Sequence, residues 1–280
     1  MPNPLDRSWR RKVIRFVTSV FLLLLIALSI LYFKQHALVY HPRPYDESYV
    51  YSLPGNGVEI NYSVASAKYV AFYVPGIHPT PKRLWVAFCG NGSLALDWTS
   101  ILKQYPPGGD AFLLIDYPGY GKNGGYATIA STRLSAEAAL KALTEKLQTD
   151  EDHLTLCTIG HSLGAAVALD FAANHHVQKI VLIAPFTTLR EEAASIFGGW
   201  VAHLLMESYD NRENLREAMK RSPEANVAIF HGVDDEVIPV RMGRELAREF
   251  PFVEFSAVNG ADHVRVLNHA HDDIINWMTN

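Results

Sequence analysis

The serine between two glycines in Gly160-His161-Ser162-Leu163-Gly164 is where this chain could form a covalent bond to a substrate. Ahead of it, Leu154–Ile159 is a short apolar run rich in β-formers and reads as a buried strand; behind it, Ala165–Ala173 is a strong helix former. A serine on such a strand-to-helix turn is held in a strained conformation with its hydroxyl exposed above the sheet. The glycines are needed because a Cβ at either place would strike the neighbouring strand or helix. A hydroxyl is a poor nucleophile at neutral pH. It needs a histidine to take its proton and a carboxylate to orient that histidine.

Both partners follow in chain order. The strand-like segment Val227–His231 runs into Gly232-Val233-Asp234-Asp235-Glu236, and Phe252–Val258 runs into Asn259-Gly260-Ala261-Asp262-His263. Ligands and catalytic groups gather in loops at the carboxyl ends of parallel strands, so His263 is the candidate base and either Asp234 or Asp235 the acid. Of the twelve histidines, His263 stands out by its place after the last strand. His161 is expected to point elsewhere, His231 to pack at a strand end, and His269 and His271 to be solvated on the following helix. Asp262 reads as a helix cap. A tetrahedral intermediate also requires backbone N–H donors. Leu163, next to the serine, supplies one candidate. Asn91, between Gly90 and Gly92 in the loop after strand Leu84–Phe88, supplies the other.

The elements that must position these groups alternate along the chain. Val58–Val64 and Tyr69–Tyr73 read as an opening antiparallel pair. Strands follow at Leu84–Phe88, Ala111–Ile115, Leu154–Ile159, Lys179–Ala184, Val227–His231 and Phe252–Val258. Helices are expected at Leu94–Gln104, Thr132–Leu147, Arg241–Phe250 and His263–Met278. Alternation of this kind predicts an α/β fold with a mostly parallel sheet covered by helices on both faces. It stops over residues 185–226, which look helical; so long an insertion reads as a small lid, with an ordinary crossover of two helices as the alternative.

Composition narrows the function. The chain has 280 residues, 49% of them hydrophobic, and a net charge of −4, so nothing suggests a nucleic-acid partner. The two cysteines, Cys89 and Cys157, form neither a disulfide framework nor a metal-ligand cluster. Gly119-Tyr120-Gly121-Lys122-Asn123-Gly124 fits a dinucleotide fingerprint, but Gly125–Ser131 intervene before any helix and no acid stands at the next strand end, so no such cofactor is expected. No phosphate-loop, zinc-protease or paired-cysteine motif occurs, and neither a cofactor nor a metal is expected.

The N-terminus carries a second signal. Arg7, Arg10, Arg11, Lys12 and Arg15 precede Phe16–Phe33, an uncharged apolar run that as a helix would span about 27 Å, close to the thickness of a bilayer core. This predicts residues 1–34 as a cytoplasmic basic stretch and transmembrane anchor, 35–57 as a linker and 58–280 as the catalytic domain. The basic flank places the N-terminus in the cytoplasm and the domain in the periplasm or lumen. A signal peptide cleaved after Ala27-Leu28-Ser29 is the competing reading.

Together these motifs resemble the α/β-hydrolase superfamily, and within it the membrane-anchored serine hydrolases of the abhydrolase-domain group. The resemblance spans residues 58–278. It is carried by Cys89-Gly90-Asn91-Gly92, Asp116-Tyr117-Pro118-Gly119-Tyr120-Gly121, Gly160–Gly164, Ala184–Leu189, His231-Gly232 with Asp235–Pro239, and Gly260 with His263. It implies an oxyanion role for the Asn91 loop and favours Asp235 over Asp234, since the family's acid lies four residues before a proline. It departs from the family at Cys89, where histidine is frequent, and at Asn123. The activity implied is hydrolysis of carboxylic ester or thioester bonds through an acyl-enzyme. The anchor and the apolar residues Phe197, Trp200, Val201, Leu204, Leu205 and Met206 point to an acyl-chain or lipid ester substrate, although the same residues could pack the lid onto the domain. A peptidase of the same fold, or a non-catalytic binding protein on it, are the alternatives.

Overall fold

The computed structural model describes residues 4–46, 53–54, 56–202, 205 and 207–280, by backbone alone at 4–7, 27, 30–38, 197, 200 and 201. Its centre is one eight-stranded sheet in the order β1-β2-β4-β3-β5-β6-β7-β8. The strands are β1 (Val58–Val64), β2 (Ala67–Val74), β3 (Arg83–Phe88), β4 (Asp110–Ile115), β5 (Leu156–His161), β6 (Val177–Ile183), β7 (Asn226–Gly232) and β8 (Val253–Val258). The first two form a hairpin about a left-handed Ala65, and β2 pairs antiparallel with β4; all later pairs are parallel. Every residue of β3, β4 and β5 is buried, as expected of parallel strands covered on both faces. The α/β-hydrolase fold expected from the sequence is therefore present.

Strand order explains where chemistry can happen. From β3 the chain crosses to β4 on one side, and then returns to place β5 on the other. The loops leaving β3 and β5 therefore part from one another, opening a crevice at their carboxyl ends. Those loops carry Asn91 and Ser162.

The helices are α1 (Pro4–Val39), α2 (Thr99–Leu102), α3 (Ile129–Leu147), α4 (Leu163–Asn174), α5 (Leu189–Phe197), α6 (Gly199–Ala202), α7 (Asn211–Arg221), α8 (Val240–Glu249), α9 (Val266–His269) and α10 (His271–Thr279). Thr128 caps α3, accepting from the Ser131 N–H at 2.9 Å, and the buried Asp170 of α4 ties α3 down through both oxygens to Arg133. Two expected helices are shorter than their patterns suggested. Leu94–Gln104 holds only a 3₁₀ turn (Ala95–Trp98) and α2. His263–Met278 is split at Ala270, and its start is delayed because the Asp262 carboxylate accepts from the N–H groups of Val264 and Arg265. That turn leaves His263 on a loop.

In the strand-free stretch, backbone bonds from Leu189 to Tyr209 and from Asn211 to Thr187 close a neck. Helices α5 and α6 lie on the excursion beyond that neck, whereas α7 packs on α4 as a crossover helix. Of the apolar residues named there, Leu205 is half-buried against the core. The side chains of Phe197, Trp200, Val201, Leu204 and Met206 lie outside the described residues.

The N-terminal segment departs from expectation. Among the described residues, no helix is long and apolar enough to cross a membrane, so the expected span Phe16–Phe33 finds no support there; the side chains of 27 and 30–33 fall outside the description. The expected linker 35–57 also divides. Its first residues complete α1, Tyr40 is buried in the core, and residues 41–45 lie on the domain through hydrogen bonds described below. Residues 47–52 and 55 are outside the description.

Candidate active site

Serine is among the best helix caps, yet Ser162, which stands at the cap position of α4, makes no side-chain cap. Its backbone sits at φ 58°, ψ −120°, a region that costs a non-glycine residue on the order of 1–3 kcal/mol. Its N–H is held by the Ile183 carbonyl at 2.8 Å. The two glycines make this turn possible. A Cβ on Gly160 would overlap the Gly164 carbonyl, and one on Gly164 would overlap the carbonyls of Phe88 and Cys89. The first turn of α4 is thereby pressed against the end of β3.

The freed hydroxyl lies 2.9 Å from Nε2 of His263, and Nδ1 of His263 lies 2.8 Å from Oδ2 of Asp235. A carboxylate only accepts, so Nδ1 carries the proton and Nε2 is left to accept from the serine. Oδ1 of Asp235 accepts the N–H groups of Val237 and Ile238 at 2.9 and 2.8 Å. Burial alone would raise this carboxyl's pKa. Hydrogen bonds from His231, His263 and the Ile238 N–H outweigh burial and hold it well below the usual carboxylate range. Asp234, by contrast, is exposed. The structure thus brings together Ser162, Asp235 and His263 and leaves Asp234 at the rim.

Two histidines read as bystanders belong to this network. The Nε2–H of His161 donates to the His263 carbonyl at 2.9 Å, and its ring lies 5.0 Å from the His263 ring, centre to centre. Its pKa is lowered to about 4 by burial and then by the charge of His263, so it is neutral at neutral pH and tethers the loop that carries His263. His231 donates from Nε2 to the Ile238 carbonyl at 2.8 Å and lies 3.3 Å from Asp235 Oδ2. The one available signal was position: both stand at the carboxyl ends of parallel strands, β5 and β7, on the side where sites form. His271 is also less solvated than expected, its side chain being 12% exposed.

The donors expected for an oxyanion are both unspent. Among the described residues, neither the Leu163 nor the Asn91 N–H donates to a protein acceptor. Gly90 is required beside them, since a Cβ there would meet His161 Nδ1 at 2.9 Å. The Cys89 carbonyl accepts from Tyr117 Oη at 2.5 Å. Cys89 and Cys157 are both buried and free, and burial pushes the Cys157 thiol up to about 12.

Known proteins share this architecture. A family model described as "Serine aminopeptidase, S33", of the Hydrolase_4 type, matches residues 81–225. The match takes in Asn91 and Ser162 and stops before Asp235 and His263. An uncharacterised protein of Mycobacterium tuberculosis (strain ATCC 25618 / H37Rv) is 33% identical over 140 residues, 49% of this chain and 47% of the relative. Protein bem46 of Schizosaccharomyces pombe (strain 972 / ATCC 24843) is 25% identical over 131 residues, 45% of this chain and 42% of that one. The matches thus span about half the length of these curated relatives. Among solved structures, the Pyrococcus furiosus esterase Pf2001 superposes with a TM-score of 0.64 over 85% of this chain and 98% of its own, at 16% identity, a likeness of fold.

Proposed function

Since this chain belongs to the α/β hydrolases of the serine aminopeptidase S33 type, and among them to the abhydrolase-domain kind, we propose that it is a serine hydrolase that cleaves carboxylic ester or thioester bonds. The observation that carries this reading is the Ser162 hydroxyl, withdrawn from helix capping and bonded instead to a histidine whose other nitrogen rests on a buried carboxylate.

The reaction follows from that geometry. Ser162 Oγ attacks the acyl carbon while His263 Nε2 takes its proton. Asp235, ionised, steadies the imidazolium through Nδ1–H. The carbonyl oxygen becomes an oxyanion facing the N–H groups of Leu163 and Asn91. As the tetrahedral species collapses, the bond from carbon to the alcohol or thiol breaks, and His263 returns its proton to the leaving group. Water, deprotonated by the same nitrogen, then attacks the acyl-enzyme, and the acid departs as Ser162 regains its hydrogen.

A small-molecule or lipid ester is the proposed substrate class, with the excursion at 189–209 as a lid over the crevice. In α1, Phe16, Phe21 and Leu23 are 70%, 59% and 66% exposed; apolar surface of this extent calls for a cover, and a membrane is the proposed cover. The proposed arrangement is an anchor with a cytoplasmic N-terminus and a periplasmic or lumenal domain, following the basic flank. Amide cleavage is the second reading, favoured by the description of the matched family. A fluorophosphonate probe should label the full chain and fail to label Ser162→Ala, which should also lose ester turnover. Equal labelling of both would refute the nucleophile. Turnover of aminoacyl arylamides but not of acyl esters would favour the second reading.

A further inference from the structure

The segment joining α1 to the sheet makes an attachment that a plain connector would not need. The loop Cys89–Ser93 contains two glycines, one of them, Gly92, at φ +72°, so its backbone is intrinsically free to move. Within the loop, the Ser93 N–H donates to the Gly90 carbonyl at 3.1 Å and Cys89 Sγ approaches the Ser93 carbonyl at 3.3 Å. Neither bond holds Asn91. That task falls to its side chain, whose oxygen accepts the His41 N–H at 2.8 Å and Tyr120 Oη at 3.0 Å. Its nitrogen donates to the Val39 carbonyl at 2.7 Å and lies 3.1 Å from His41 Nδ1. Each end of the amide faces a group of the opposite kind, so its orientation is determined.

The segment is itself fastened at several further points. Tyr40 is 5% exposed. The Arg43 carbonyl accepts the Gly121 N–H at 2.9 Å, and its guanidinium meets Asp97 at 2.8 Å. Tyr45 Oη donates to Asp116 Oδ2 at 2.7 Å, and Asp116 Oδ1 accepts the N–H of Ala95, just past the loop, at 2.7 Å.

We propose that residues 39–45 are a strap that holds the oxyanion loop in its donating shape, with the Asn91 side chain as the positioning group through which it acts. The inference rests on the serine-hydrolase reading, in which the Asn91 N–H is a donor. Because Val39 is the last residue of α1, the strap also links that helix directly to the loop.

The test uses the full chain and a chromogenic short-chain acyl ester. Asn91→Ala retains the backbone N–H and removes only the tether. Losing a whole oxyanion donor costs roughly 10²–10³ in rate, so a loosened one should lower kcat about 10- to 100-fold. KM should change less than about twofold and the pH profile of kcat should be unmoved, since His263 is untouched, while the melting temperature should fall by a few degrees for the lost amide hydrogen bonds. Tyr120→Phe should lower kcat by a smaller factor in the parent. It should cost less in the Asn91→Ala background than in the parent, because part of its action runs through that amide and the rest through the His41 N–H, which the same hydroxyl accepts at 2.9 Å. An unchanged kcat in Asn91→Ala would overturn the strap, as would additive losses, or a loss of kcat that disappears when turnover is assayed well below the melting temperature. The control is Ser162→Ala. If it abolishes turnover while Asn91→Ala is silent, the strap alone fails; if Ser162→Ala still turns over, the underlying reaction is wrong and the strap falls with it.

Discussion

Replacing Asp235 by asparagine should nearly extinguish activity without disturbing the fold, and the structure says how. Oδ1 of this residue accepts two backbone N–H groups, from Val237 and Ile238. In the Asp235→Asn variant the amide oxygen must keep that place, because an NH2 group there would face two donors. The NH2 is then forced into the position of Oδ2, facing His263 Nδ1, now 2.8 Å away, and His231 Nε2, now 3.3 Å away. A donor in front of Nδ1 drives the His263 proton onto Nε2, where it points at the serine and can no longer accept from it. The same tautomer trap lowers kcat by a factor of about 10⁴ in serine proteases, or about 5 kcal/mol of transition-state stabilisation. Steady-state kinetics on an acyl ester should show that loss in kcat with little change in KM, and thermal melting should shift by only a few degrees. Asp234→Asn, at an exposed residue, should stay within about twofold of the parent. An Asp235→Asn enzyme keeping more than a tenth of kcat, or an Asp234→Asn variant as damaged as expected for Asp235→Asn, would refute the reasoning.

Other expectations follow from the same geometry. Gly160→Ala and Gly164→Ala each set a methyl into backbone carbonyls, so both should cost more than the roughly 1–3 kcal/mol typical of overpacking; soluble yield and melting temperature report this, and a parent-like Tm for either would contradict the elbow packing. Asp116 is pushed up to about 6, chiefly by burial, against the hydrogen bonds of Ala95 and Tyr45. Its protonated form is favoured in the folded state, so its contribution to stability is full below the ordinary value of 3.8 and is lost as pH rises through about 6. Asp116→Asn should therefore flatten the stability profile between about pH 4 and 6 and raise Tm by a few degrees at pH 8; an unchanged slope would contradict this. Deleting residues 1–34 removes no strand and leaves Val39–Tyr45 in place, so the remaining domain should stay folded and active and should leave the membrane fraction. Loss of activity, or retention in that fraction, would count against the proposed anchor.

The conformation of Ser162 was legible because its requirements are local. A buried strand, a turn flanked by glycines and a helix lie within about twenty residues, and each must be present for the φ 58° conformation of Ser162 to exist. His263 was legible for a similar reason: it follows the last strand, and parallel strands end on the side where sites form. Helix lengths were less legible. Leu94–Gln104 carries a helical pattern, yet the tether of Ala95 to Asp116 and the early turn at Trp98 reduce it to short pieces. His263–Met278 was read as one helix because the Asp262 turn that frees His263 depends on side-chain bonds that periodicity does not record.

What the sequence by itself determined is the alternation that makes an α/β sheet, the strand-turn-helix around Ser162, and the chain order of Ser162, the Asp234-Asp235 pair and His263. The choice between Asp234 and Asp235 needed the family pattern, and tertiary structure gave it a physical basis: only one of two adjacent carboxyls can turn inward, and Asp235 is the one that meets the Val237 and Ile238 N–H groups and the His263 ring. Tertiary structure alone showed that His161 and His231 belong to the network, because their partners lie 102 and 7 residues away along the chain and a histidine's sequence neighbours do not say where its nitrogens point. It alone made a strap of what read as a linker, since the bonds from Val39 and His41 to Asn91 cross about fifty residues. Such contacts are set by how the sheet closes, and no local pattern encodes them.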